Sequence, residues 1–150
     1  MIIRPAELKD CDCIQTIEQA ASPFPWLPDA IAIELSNPNG FNFLAQDDDG
    51  KTICGFVFSI IVADELSILS LATHPDFQRR GIAGRLLGTT IERARERGAA
   101  NAYLEVRSKN SRAIGLYQNF GFHVTSIRKK YYSGDQDDAL LMHKRIETIF

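Results

Sequence analysis

Leu66-Ser67-Ile68-Leu69-Ser70-Leu71-Ala72-Thr73-His74-Pro75-Asp76-Phe77-Gln78-Arg79-Arg80-Gly81-Ile82-Ala83-Gly84 passes from a strand to a helix through a glycine-bearing turn. Leu66 to Thr73 has the length and apolar content of a strand. Past His74-Pro75, the residues Ile82, Leu86, Leu87, Ile91 and Ala94 recur at helical spacing, and Gly98 closes the helix. A helix start leaves backbone N–H groups unpaired and carries a partial positive charge. Small residues let an anion approach that backbone, and Arg79 and Arg80 add charge beside it. Gln78, Arg79, Arg80, Gly81, Ile82, Ala83 and Gly84 are therefore a candidate pyrophosphate cradle.

Two familiar phosphate motifs do not fit. A dinucleotide fold needs G-x-G-x-x-G, whereas these glycines fall at 81, 84 and 88. A Walker A loop needs an earlier glycine before Gly50-Lys51-Thr52, where Ala45 stands, and Asp47, Asp48 and Asp49 would repel phosphate. Gln78-x-x-Gly81-x-Ala83 fits a third pattern, Gln/Arg-x-x-Gly-x-Gly/Ala after a strand and before a helix. By itself this could also be a softened helix start without a ligand.

Outward from the turn the rest of the chain falls into place. Ile2-Ile3-Arg4 reads as a first strand, and Pro5 opens a helix carrying Leu8, Ile14, Ile17 and Ala21 on one face. The prolines of Ser22-Pro23-Phe24-Pro25-Trp26-Leu27-Pro28 force an extended loop, and a short helix follows over 29–35. Phe43-Leu44-Ala45 and Ile53 to Ile61 read as strands joined at Asp49-Gly50, so with Leu66 to Thr73 they form an antiparallel meander. Asn101 to Val106 reads as a buried strand, Asn110 or Ser111 caps a helix ending at Gly121, and 122–131 and 139–143 are two closing strands. The order is strand, two helices, three strands, helix, strand, helix, two strands. The fold class is α+β, mixed α/β in its helix–strand middle, as one domain over 1–150.

Bulk properties narrow the function. The 150 residues are 45% hydrophobic and 24% charged, which is globular. A net charge of −2 gives no pull toward nucleic acid, and no apolar run is long enough to span a membrane. The start of the chain lacks a secretory signal, and three cysteines, an odd number, fit reduced thiols, so the expected location is the cytoplasm. Cys11-x-Cys13 has no second pair at ligand spacing, so no metal is expected.

With these segments placed, the chain resembles the GNAT superfamily of N-acetyltransferases over nearly its whole length, and more closely its RimI type, the ribosomal-protein-alanine N-acetyltransferases. The resemblance is carried by Ser22 to Trp26, by Leu69 to Gly81, by Leu104-Glu105-Val106-Arg107-Ser108-Lys109-Asn110-Ser111 through Tyr117, and by Tyr131-Tyr132 with Asp138 to Met142. It implies a mostly antiparallel twisted sheet of about seven strands flanked by about four helices, with a splayed strand pair that binds acetyl-CoA. The backbone of Leu71, Ala72 and Thr73 would meet the pantetheine arm, the cradle the pyrophosphate, and Asn110 the cofactor. It also implies a protein N-terminus as acceptor, with a ribosomal protein as the expected partner. Thr73 replaces a usual valine, Ser70 a common asparagine, and Ser67 a frequent acidic residue, a departure that argues against an acid–base role at 67.

Amine acetylation needs a base, an acid and an oxyanion donor. Glu105 is the candidate base: it stands in the apolar run Ala102 to Val106, where burial would raise its affinity for a proton, and the resemblance puts the proton acceptor there. A plain ion pair with Arg107 or another cation is the alternative. Tyr117 is the candidate acid, which the resemblance faces to the departing sulfur; it could instead be a core aromatic beside Phe120 and Phe122. Asn110 serves equally as an N-cap, and Trp26, Tyr131 and Tyr132 either line an acceptor groove or anchor the core. His74, His123 and His143 form no triad. Lysine side chains, polyamines or other small amines are alternative acceptors, and a non-catalytic acetyl-CoA-binding sensor is the rival outside enzymology.

Overall fold

Alternating apolar residues assemble one seven-stranded sheet in a computed structural model that describes residues 1–147. The elements are β1 (Ile2–Pro5), α1 (Cys11–Ala21), α2 (Pro28–Leu35), β2 (Phe43–Gln46), β3 (Ile53–Val62), β4 (Glu65–Thr73), α3 (Ile82–Glu96), β5 (Asn101–Arg107), α4 (Ser111–Asn119), β6 (His123–Arg128) and β7 (Ala139–Arg145). The strand order is β1-β2-β3-β4-β5-β7-β6, and every neighbouring pair is antiparallel except β4 with β5. No helix among the described residues is long and apolar enough to cross a membrane.

The β4–β5 pair decides where a ligand can enter. The two strands share rungs only from Glu65 with Asn101 to Ile68 with Leu104. Beyond that point β4 stays with β3 as far as Thr73 opposite Gly55, while β5 stays with β7 as far as Arg107 opposite Ala139. A register shift supplies the bend: Phe58 faces Ser70 and Ser59 faces Ile68, which leaves Leu69 as an extra residue on β4. An extra residue of this kind kinks and twists its strand. The splay implied by the family resemblance is thus present.

Each face of the sheet has its own core. Leu66, Ile68, Leu104, Val106 and Met142 pack with Ile82, Leu86 and Leu87 of α3 and with Tyr117 of α4. On the other face Leu44, Phe56 and Phe58 pack with Ile14, Ile17 and Ile31 of α1 and α2. Truncating a buried leucine such as Leu86 to alanine costs about 2–5 kcal/mol. Gly55 brings the start of α3 against the sheet, since a Cβ there would lie 2.8 Å from Ala72 O and 3.2–3.3 Å from the Leu86 and Ile82 side chains.

Some boundaries differ from the sequence reading. Pro5 ends β1 rather than opening a helix; β1 is an edge strand, where a missing N–H costs no ladder bond. A short 3-10 turn at Leu8–Asp10 precedes α1, and Leu8 is exposed, not on the core stripe. The strand expected over 122–131 stops at Arg128, because Lys130 takes a positive φ in the turn that follows. Its partner runs on to Arg145. Cys54 is buried as a small hydrophobe, while Cys13 is exposed at the start of α1.

Candidate active site

The gap between β4 and β5 opens into a cleft of about 520 Å³. Its α3–α4 side is lined by Gln78, Arg79, Gly81, Ile82, Ala83, Gly84, Asn110 and Tyr117, and its α1 side by Glu18, Phe24 and Trp26. The edge of β4 from Ser70 to Thr73 lies between. One cavity therefore touches elements packed on both faces of the sheet.

The cradle is built by backbone conformation. Gly81 caps α3 in the left-handed region at φ 75°, and no side chain caps this helix. The first backbone bond is from Arg85 N–H to Gly81 O, so the amides of Ile82, Ala83 and Gly84 have no helical partner. A Cβ at Gly81 would meet no atom within 4 Å. Open space beside unpaired amides at a helix start fits a phosphate group. Arg79, also at positive φ (66°), lines the cleft, but Arg80 does not: its guanidinium stacks on Phe77 at 5.1 Å. Gln78 ties the parts together, donating to Thr73 O at 3.3 Å and accepting from Arg112 Nη1 at 3.3 Å.

The free edge of β4 faces the gap. His74 N–H donates to Cys54 O at 2.8 Å, and antiparallel alternation then turns the backbone groups of Leu71 and Thr73 away from β3. Those of Ala72 face β3 instead, so Ala72 contributes surface rather than ladder groups. Asn110 is an N-cap whose Oδ1 accepts from Ala113 N–H at 3.2 Å, and it also lines the cleft.

Tyr117 reaches the cleft from a buried ring, edge-on to Phe122 at 5.9 Å between centroids. Burial pushes its hydroxyl up to about 12, so it holds its proton at neutral pH. Glu105 departs from expectation. Ala102, Leu104 and Val106 are buried, but period-2 alternation sends Glu105 to the opposite face, where its side chain is 38% exposed. Its partner is Arg128 Nη1 at 3.5 Å, not Arg107. Glu105 therefore stands on the α1–α2 side of the sheet, outside the residues lining the cleft.

Arg107 has a different task. Its guanidinium lies between the rings of Phe24 and Tyr132, 3.9 Å from each centroid, and Nη1 reaches Asp135 Oδ1 at 2.5 Å. This stack joins the loop before α2 to the β6–β7 connection. Trp26 sits 5.4 Å from Phe58 and also lines the cleft, so it is core anchor and wall at once. Tyr131 is half exposed, edge-on to Tyr132 at 5.3 Å. The histidines lie outside the cleft: His74 accepts from Asp76 N–H, and His143 pairs with Asn101 Oδ1 at 2.7 Å, edge-on to His123.

Glu18 escaped the sequence reading. It is 4% exposed, accepts from Trp26 N–H at 2.8 Å through Oε2, and is the only acidic residue lining the cleft among the described residues. The signal was present: Ile14, Ile17, Glu18 and Ala21 fall at i, i+3, i+4 and i+7, placing a carboxylate on the apolar stripe.

Residues 11–122 match the acetyltransferase (GNAT) family. The chain is 34% identical over 142 residues to the ribosomal protein bS18-alanine N-acetyltransferase of Escherichia coli K12, covering 93% of this chain and 94% of that one. It is 36% identical over 128 residues to the Salmonella typhimurium protein of the same name, covering 84% of each. The crystal structure of the Escherichia coli ribosomal-protein-S18-alanine N-acetyltransferase superposes with a TM-score of 0.92 at 32% identity, over 99% of this chain and 96% of that one.

Proposed function

This chain belongs to the GNAT acetyltransferase family and is an N-acetyltransferase, and from that premise we propose that it acetylates the N-terminal alanine of a small-subunit ribosomal protein, with acetyl-CoA as donor. The observation that carries the acceptor is the near-full-length likeness to bS18-alanine N-acetyltransferases. The cleft is consistent with it. The unpaired amides after Gly81 and the space beside them suit a pyrophosphate, and the free β4 edge suits an extended arm reaching toward the gap.

Acetyl-CoA supplies the activated acyl group as a thioester. An α-amine titrates at about 7.7–8.0, so it arrives mostly as ammonium and must lose a proton before attack. Glu105 accepts that proton from the α1–α2 side of the sheet. The N–H groups on the gap side of β4, at Leu71 and Thr73, are placed to polarise a carbonyl held along this edge. Tyr117, protonated throughout the neutral range, donates to the departing sulfur from the α4 side. A free thiol titrates at about 8.5, well below this buried phenol, so a hydrogen bond to the developing thiolate is favoured over full transfer.

The test is to offer the protein, with acetyl-CoA, short peptides differing in their first residue, and to locate the acetyl group by mass spectrometry. Modification of the α-amine, favouring an initial alanine, is the expected result. Acetylation of lysine side chains or of free polyamines instead would replace the acceptor, and absence of thiol release with every amine would leave a sensor.

A further inference from the structure

Glu18 is expensive where it stands. It occupies the last turn of α1, at the helix end whose dipole disfavours an anion. It is almost fully buried, and burial raises its affinity for a proton. Among the described residues no Lys, Arg or His forms an ion pair with it; Trp26 N–H is its one hydrogen-bond donor. A neutral side chain of the same shape would keep that bond without the charge. The anchoring of the Trp26 loop therefore accounts for an oxygen acceptor but not for a carboxylate.

The second oxygen points to the missing partner. Oε2 is taken by Trp26, and Oε1 has no protein donor among the described residues. Among these residues only Thr73 Oγ1 is both sealed from solvent and unpartnered, so Oε1 keeps an opening. Glu18 lines the cleft with Trp26 and Phe24 on one side and the free edge of β4 on the other. A buried carboxylate lining that cleft can meet a cation small enough to enter it.

We propose that Glu18 is the subsite that receives the acceptor's α-ammonium and orients it toward the gap between β4 and β5. The inference rests on the proposed acceptor, a protein N-terminal amine. Glu18 holds the amine in its charged form and Glu105 takes the proton, so two carboxylates divide binding from deprotonation. The buried position makes the attraction strong because little water screens it.

Glu18→Gln tests this, since glutamine keeps an oxygen for Trp26 N–H and removes only the charge. The kinetics use an alanine-initiated peptide and its desamino counterpart, a competitive ligand with a propionyl group in place of the alanine. The expected result is a KM for the amine peptide raised tenfold or more, a smaller change in kcat, and an unchanged inhibition constant for the desamino peptide. Affinity for acetyl-CoA and the melting temperature should not fall. A KM within a factor of two of wild type, with the variant folded, overturns the proposal and returns Glu18 to a loop anchor. An equal loss of affinity for both peptides overturns it too, because the charge would then serve the groove's shape. If the wild-type protein acetylates no peptide α-amine, the acceptor assignment fails first and the Glu18 subsite falls with it.

Discussion

Glu105 and Tyr117 stand on opposite faces of the same sheet. Tyr117 belongs to the core that α3 and α4 form with Leu104 and Val106, whereas Glu105, between those two residues in the chain, projects to the other side. In the proposed mechanism the two meet one substrate through the gap where β4 and β5 part beyond Ile68 and Leu104. Under the proposed mechanism, proton acceptance and thiolate stabilisation approach a substrate from two sides of a slot.

Glu105→Gln should lower kcat by roughly 10²–10⁴-fold, the range for loss of a general base. Its ion pair with Arg128 is exposed, and such pairs contribute at most about 1 kcal/mol, so the melting temperature should hold. Acetyl-CoA affinity should also hold. A kcat close to wild type at neutral pH would move the base elsewhere, with Glu18 the first place to look.

Tyr117→Phe should lower kcat by about 10²-fold at nearly constant acetyl-CoA affinity, the pattern of an interaction made mainly in the transition state. It has a second signature. The folded-state value is raised above that of a free tyrosine, so the native state holds this proton more tightly than the unfolded chain. That contribution is full below about pH 10 and disappears as pH rises toward about 12. Denaturant melts across that range should therefore show a steeper alkaline loss in wild type than in the variant.

Gly81→Val should weaken acetyl-CoA binding tenfold or more by calorimetry. The branched side chain would fill the space beside the free amides, and it is poorly tolerated at φ 75°, at a cost of about 1–2 kcal/mol. Because nothing presses on a Cβ there, the fold should survive. Unchanged affinity in a folded variant would remove this turn from the binding site.

Thr73→Val should stabilise the unliganded protein. The Thr73 hydroxyl is sealed from solvent without a partner, and an orphaned buried polar group costs about 1–3 kcal/mol. Valine has nearly the same shape. For a domain of this size, the low end of that range raises the melting temperature by about 2–4 °C. A lower melting temperature would show that the hydroxyl has a native partner.

The order of elements was legible because the hydrophobic period changes cleanly from helical to alternating, and because Gly81, Gly98 and Gly121 mark helix ends with positive φ. The cradle was legible for the same local reason. Glu105 was misjudged in its setting: apolar neighbours at 104 and 106 imply burial only for a strand covered on both faces, and β5 is covered on one at that point. Conversely Glu18 resembled an ordinary helix charge until its place on the α1 stripe and its bond to Trp26, eight residues away, were seen together. The stack of Phe24, Arg107 and Tyr132 was beyond local reading, since it joins residues far apart in the chain.

The short shared ladder between β4 and β5 divides the molecule in another sense. β1 through β4 form one antiparallel block and β5, β7 and β6 another, joined in the sheet by four rungs from Glu65–Asn101 to Ile68–Leu104. One core under α3 and α4 spans both blocks, so the sheet seam is the place where a partial opening below global unfolding is expected. A ligand lying in the slot, with groups that contact both margins, completes the seam, and it stabilises the joined form by mass action. Amide exchange in β5 through β7 should then slow on acetyl-CoA binding well beyond the residues that touch it, so that the substrate acts as a clasp across the seam between two halves of the sheet.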